Sequence, residues 1–333
     1  MNKLLSSLLL LLSITASNGD NVQGRLRDEL WVHPAKNSWP VIGVFAQPST
    51  STAGNCGGNC QYIAASYVKY LEASGARVVP INYYSTNDEL DAHFANLNGF
   101  FFTGGGSVFP AAAQYTFDKV ISANKNKDFT PLWGTCMGFQ WLLIAGSGDA
   151  NVLDPPFGKG QMDSYNLSIP LDFTKQSSSS RIFGSAPADV LNILKTQPVT
   201  MNNHHYGIYP AHFQATPKLT SLYNILSTNK DRAGVEFVST IEAFHYPIYG
   251  TQWHPEKNPY EWGKDSNGYP LEAINHSGDA ITVAQYAASF FVGEARKSDH
   301  KYFDPSVEES QLIKNYPVTK TSGDFQETYF FNW

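Results

Sequence analysis

A chain of 333 residues with a formal net charge of −6, 42% hydrophobic and only 16% charged, has the material for a substantial core. That composition excludes charge-driven disorder over most of the length, and with no Lys/Arg run it argues against nucleic acid as a partner. Three cysteines are too few for a disulfide-scaffold domain.

In chain order, residues 1–17 (MNKLLSSLLLLLSITAS) combine Lys3, an apolar run from Leu4 to Ile14 and small residues at Thr15, Ala16 and Ser17. This is the pattern of a secretory signal peptide, and the run is too short to span a bilayer. No later segment reaches spanning length, so a soluble protein is expected in the secretory pathway, bound for a lysosome, a vacuole or the exterior. The sequons at Asn166 and Asn275 fit N-glycosylation on that route. Cys56 and Cys60, in GNCGGNC, either close a small disulfide loop in an oxidising compartment or stay as two thiols. A metal site there lacks an accompanying His/Cys cluster.

Residues 18–38 read as a flexible polar leader. Val41–Phe45, between Pro40 and Pro48, reads as a buried strand. Residues 61–75 read as a helix, with Ala64, Tyr67, Val68 and Leu71 on one face. RVVPINYY is a second strand, 87–97 a short helix behind a Thr/Asn cap, and GFFFTGGG a third strand ending in glycines. A helix over 115–124 and a strand at TPLWG follow. Such alternation predicts an α/β fold: a doubly wound, mostly parallel sheet flanked by helices, flavodoxin-like. Past residue 150, the runs 235–238, 241–244 and 248–252 predict a small antiparallel excursion. A serine-rich loop is expected at 176–181, a closing helix at 281–297 and a polar tail wrapping the surface at 298–333. The expected domain is 39–297.

The strongest chemical signal is Trp133-Gly134-Thr135-Cys136-Met137-Gly138. It is the cysteine form of the nucleophile elbow, where small residues flank a nucleophile on a sharp strand-to-helix turn and the helix N-terminus favours thiolate. A thiol needs a base, and His254 precedes Pro255-Glu256. In an extended segment residues i and i+2 face the same way, so Glu256 would fix the His254 tautomer. The glycines at 104–106 would bring backbone amides to a ligand, with the Met137 amide as second oxyanion donor. No G-K-[ST] follows them, which argues against nucleotide binding.

Together these pieces resemble the class I glutamine amidotransferase-like superfamily and, more closely, the gamma-glutamyl hydrolase family. The resemblance is carried by IGVFAQ, YIAASYVKYLEASGARVVP, GGGSV, LWGTCMGFQ, EFVSTIEAF and YPIYGTQWHPEKNPYEW. It implies cleavage of gamma-linked glutamates from folate (pteroyl) polyglutamates, with no cofactor or metal and a homodimer as the oligomer. It implies Cys136 as nucleophile, His254 as general base then acid, Glu256 as its orienter, and Gly105 or Gly106 with Met137 as oxyanion hole. Tyr67 and His204 (with His205 as the alternative) would line the substrate cleft, joined by Ser107 and Gln140. Two positions depart from the family pattern. Gln140 stands where mammalian members carry Glu, and Gly104 where Pro is common, which predicts a looser loop. Two other readings share the sequence: a glutaminase or other gamma-glutamyl amidase, and a non-catalytic secreted binding protein of the same fold.

Overall fold

Residues 35–49, 60–155, 157–321 and 325–333 are described by the computed structural model. The expected signal peptide, most of the expected leader and Cys56 lie outside the described residues. The first half of the chain contains β1 (Val41–Phe45), β2 (Gln47–Pro48), β3 (Gln61–Ala64), α1 (Ala65–Glu72), β4 (Arg77–Ile81) and α2 (Asn87–Phe94). It continues with β5 (Gly99–Phe102), α3 (Ala111–Lys125), β6 (Leu132–Thr135) and α4 (Met137–Ser147). Then come β7 (Ser164–Ile169), β8 (Asp172–Phe173), α5 (Arg181–Gly184), α6 (Ala188–Thr196), β9 (Thr200–His204), α7 (Pro210–Ala215) and α8 (Pro217–Leu222). The chain ends with β10 (Tyr223–Lys230), β11 (Glu236–Ala243), β12 (Ile248–Thr251), α9 (Lys257–Tyr260), α10 (Gly278–Ala295), α11 (Pro305–Gln311), β13 (Val318–Lys320) and β14 (Glu327–Phe331).

The main sheet runs β4-β1-β5-β6-β12-β11-β10-β8. Its first five strands are parallel, and their order, second-first-third-fourth-fifth, is the flavodoxin-like one. The antiparallel excursion follows on the far side: β11 reverses against β12, and β10 against β11. Apolar runs are unbroken because both sheet faces are covered. In β5, Phe101 points to the face packed by Tyr67, Leu71 and Phe291, while Phe100 and Phe102 point to the face packed by Phe117 and Leu142. Residues Pro34–Trp333 make one compact unit. Among the described residues no helix is long and apolar enough to cross a membrane.

Several local expectations need correction. The expected helix over 61–75 begins only at Ala65, because 61–64 are drawn into a second sheet, β13-β14-β3-β2. Its partner β14 comes from the tail, so the tail is structural rather than a surface wrap, with Tyr329 and Phe331 buried. The serine-rich loop is a 3₁₀ turn (Lys175–Ser179) followed by α5, capped where Ser180 Oγ accepts from Phe183 N at 3.0 Å. The runs 235–238 and 241–244 belong to one strand, β11, and α3 starts four residues before the expected 115. The last leader residues are docked: the amides of Lys36 and Asn37 both donate to Arg296 O.

Candidate active site

Cys136 sits between β6 and α4, at the carboxyl end of the parallel sheet where open α/β folds place their sites. Its φ is +55° and ψ −105°, a conformation that non-glycine residues rarely adopt and that marks a strained, functional turn. The flanking glycines are required by contact. A Cβ on Gly134 would collide with Gly138 O, and one on Gly138 with Phe102 O. The Cys136 amide donates to Thr251 O at 2.8 Å, fixing the elbow to the end of β12. The sulfur lies 3.8 Å from Asn203 O. Cys136 is a free thiol.

His254 follows β12, and its amide donates to Met201 O of β9 at 2.8 Å. Its Nδ1 is 2.6 Å from Glu256 Oε1, and the ring lies beside Cys136 close enough for the sulfur to act on its charge. The pairing arises differently from the expected extended segment. Glu256 has φ −72° and ψ −21° and caps the short helix α9, so a turn brings the carboxylate back to the ring. Burial works to lower the imidazole pKa, but the Glu256 carboxylate, then the Cys136 sulfur, outweigh it and push the ring up to about 10. The ring therefore carries its positive charge next to the Cys136 sulfur at the N-terminus of α4.

The glycine loop after β5 faces this pair. Neither Gly105 N, Gly106 N nor Met137 N donates to a partner among the described residues. Gly105 leans on the buried Gln47 side chain, whose Nε2 donates to Thr103 and whose Oε1 accepts from Ser107 Oγ. A cysteine, a carboxylate-bonded imidazole and a glycine loop thus meet at one place, with Gly104 close to both His254 and Cys136.

A model of the peptidase C26 family matches residues 40–256. The chain is 41% identical to gamma-glutamyl hydrolase B of Dictyostelium discoideum, over 89% of this chain and 84% of that one. It is 37% identical to the Homo sapiens gamma-glutamyl hydrolase (88% and 90% covered) and 37% to gamma-glutamyl hydrolase 1 of Arabidopsis thaliana (90% and 84%). The chain belongs to the peptidase C26 family.

In this family member, the residues expected to contact substrate divide. Tyr67 is 1% exposed, and its hydroxyl accepts from Gly104 N at 2.9 Å beneath the triad. The loop is not loosened at Gly104 but locked, as a Cβ there would meet Tyr67 Oη at 2.5 Å and His254 Cε1 at 3.0 Å. Ser107 spends its hydroxyl on Gln47. Gln140, one turn along α4 from Cys136, donates to Tyr206 O at 2.7 Å. His204 is buried, with Nδ1 3.0 Å from Tyr206 O and Nε2 3.2 Å from Asn202 Oδ1, and burial pushes it down to about 3. It is a neutral, structurally bonded ring. The neighbouring His205 is half-buried and stacks on Tyr165 at 5.1 Å.

Sequence reasoning missed two groups. Gln47 supports the loop, and Lys257 and Glu272 form a buried ion pair whose carboxylate also accepts from Asn203 Nδ2 at 2.7 Å. Neither carries a motif, and Glu272 reaches the site from an irregular segment. At the sequons, Asn166 Oδ1 accepts from Ala273 N, and Asn275 Nδ2 donates to Pro198 O at 3.1 Å. Cys60 is disulfide-bonded. Among the described residues no His, Cys, Asp and Glu side chains gather as a metal site.

Proposed function

We propose that this enzyme hydrolyses the gamma-glutamyl bonds of folate polyglutamates through a thioester on Cys136. The observation that carries the reading is the pairing of a cysteine on a strained elbow with an imidazole bonded 2.6 Å from a buried carboxylate. The names of the three relatives above, each a gamma-glutamyl hydrolase, support the bond type. In the first step the thiolate attacks the gamma carbonyl carbon, and the oxygen takes up charge facing the amides of Met137 and of Gly105 or Gly106. The carbon–nitrogen bond then breaks as His254 gives its proton to the departing glutamate amine. Water, deprotonated by His254, adds to the thioester, and the sulfur leaves as thiolate. Glu256 holds the ring in one tautomer through both steps.

An imidazolium–thiolate pair stays reactive in mildly acidic compartments, which agrees with a lysosomal, vacuolar or secreted setting. The leader, the two sequons and the disulfide at Cys60 support that setting. The test is incubation with a pentaglutamyl folate, followed by chromatography of the products. The wild type is expected to release shorter folates and glutamate, and Cys136→Ala to release none. Products that survive the substitution would end the mechanism. Ammonia from glutamine, with no cleavage of the oligomer, would replace the substrate.

A further inference from the structure

The Tyr67 hydroxyl touches both halves of the acyl-transfer site. It accepts the amide of Gly104, the first residue of the oxyanion loop, at 2.9 Å. It also lies 3.3 Å from His254 Nδ1, on the side of the ring that faces Glu256. Since His254 Nδ1 is closer to Glu256, at 2.6 Å, the ring proton goes to the carboxylate, and the phenol oxygen sits beside that bond while accepting from the loop. Burial first, then Glu256, raise the phenol well above its ordinary range, so it remains a donor at every working pH. The ring itself is fixed by packing on Phe101 of β5, with centroids 5.7 Å apart, and at 1% exposure it has no surface for a substrate.

We infer that Tyr67 is a positioning residue: its hydroxyl pins the start of the oxyanion loop to the His254–Glu256 pair and so fixes where the loop's amides meet the reacting carbonyl oxygen. The inference rests on the acyl-transfer reading above. Without the hydroxyl, Gly104 N loses its partner and the loop is free to shift relative to the sulfur, while the 2.6 Å bond between His254 and Glu256 remains. Gly104 has to be glycine for the same reason. A Cβ there would meet Tyr67 Oη at 2.5 Å, His254 Cε1 at 3.0 Å and Cys136 Cβ at 3.3 Å, wedging the loop away from all three.

The test compares wild type with Tyr67→Phe, Gly104→Ala and the double variant. Hydrogen exchange over residues 103–108 should quicken in Tyr67→Phe by about tenfold or more, while exchange in α4 stays as in wild type. On a gamma-glutamyl oligomer, kcat should fall about 10- to 100-fold with KM within about threefold. Alkylation of Cys136 by iodoacetamide needs the thiolate but no oxyanion hole, so its rate should stay within about twofold. Losses in Tyr67→Phe and Gly104→Ala should overlap, with the double variant no worse than Gly104→Ala alone. Unchanged loop exchange, alkylation that falls in step with kcat, or additive losses would each overturn the inference. Should the wild type fail to cleave the oligomer, the substrate reading falls alone, and the exchange measurement still decides the role of Tyr67.

Discussion

Two histidines sit buried within the same part of the molecule, and they behave in opposite ways. His254 is pushed up to about 10 and His204 down to about 3. Burial acts on both in the same direction, toward the neutral ring. The difference is what each ring faces. His254 has the Glu256 carboxylate at 2.6 Å and the Cys136 sulfur, whereas the hydrogen-bond partners of His204 among the described residues, Tyr206 O, Ser164 Oγ and Asn202 Oδ1, are neutral and the nearby His254 repels a charge on it. One corner stores a proton beside a thiol, and the other is a polar rivet between β7 and β9. Desolvation alone therefore does not identify a catalytic histidine; a buried opposite charge does.

The largest effect should come from making the first corner resemble the second. Glu256→Gln replaces the carboxylate with a neutral amide that no longer fixes the tautomer. By analogy with triads that lose their orienting charge, kcat should fall by roughly 10⁴-fold. Alkylation of Cys136 at low pH should slow as well, because a ring without the carboxylate keeps less positive charge beside the sulfur. A loss in kcat of under tenfold would mean that the carboxylate is not what separates the two corners.

The second corner is tested by His204→Leu. Removing a buried, bonded ring should cost about 1–3 kcal/mol in urea unfolding, with a smaller loss of kcat than Glu256→Gln. The pH dependence sharpens this. His204 is neutral in the fold far below its ordinary range, so its contribution is complete above about pH 6.5 and is lost as pH falls toward 3. Between pH 6.5 and 4.5 the wild type should lose about 2–3 kcal/mol relative to the variant. The difference between proteins matters because Glu261, raised by burial to about 7, works oppositely: its folded state prefers the protonated acid, and its contribution fades as pH rises toward 7. His254 adds nothing in this window, since its contribution is whole below its ordinary value and is lost only as pH climbs through about 10. Equal slopes in the two proteins would return a proton to His204 and dissolve the contrast.

What the sequence made legible follows from range. The elbow was readable because its requirement is local: two glycines, a cysteine and an entering strand lie within one turn. The parallel half of the sheet was readable because each apolar run pairs with a neighbour one crossover away. Strand β3 was not, because its hydrogen bonds go to β14 at the far end of the chain, and residues 61–64 alone extend the helical pattern that follows. Glu256 was found for the right partner through the wrong backbone, a turn standing in for an extended segment. The resemblance names Tyr67 and His204 as substrate contacts but says nothing of their burial, 1% and 4% exposed, since burial depth depends on elements packed from elsewhere.

The smallest effect isolates the rivet without touching the ring. Ser164 is fully buried opposite His204 in the β7–β9 pairing; its Oγ donates to His204 O at 2.7 Å and lies 3.1 Å from Nδ1. Ser164→Ala removes that hydroxyl but leaves the ring its bond to Tyr206 O. The expected cost is about 1 kcal/mol of stability, with kcat unchanged within about twofold. In the His204→Leu background the same substitution should cost less, because part of what Oγ does is done on the ring. A rivet predicts this coupling in stability alone. If Ser164→Ala instead lowered kcat while leaving stability intact, the ring's protonation would matter to the chemistry, and His204 would belong with His254 rather than against it.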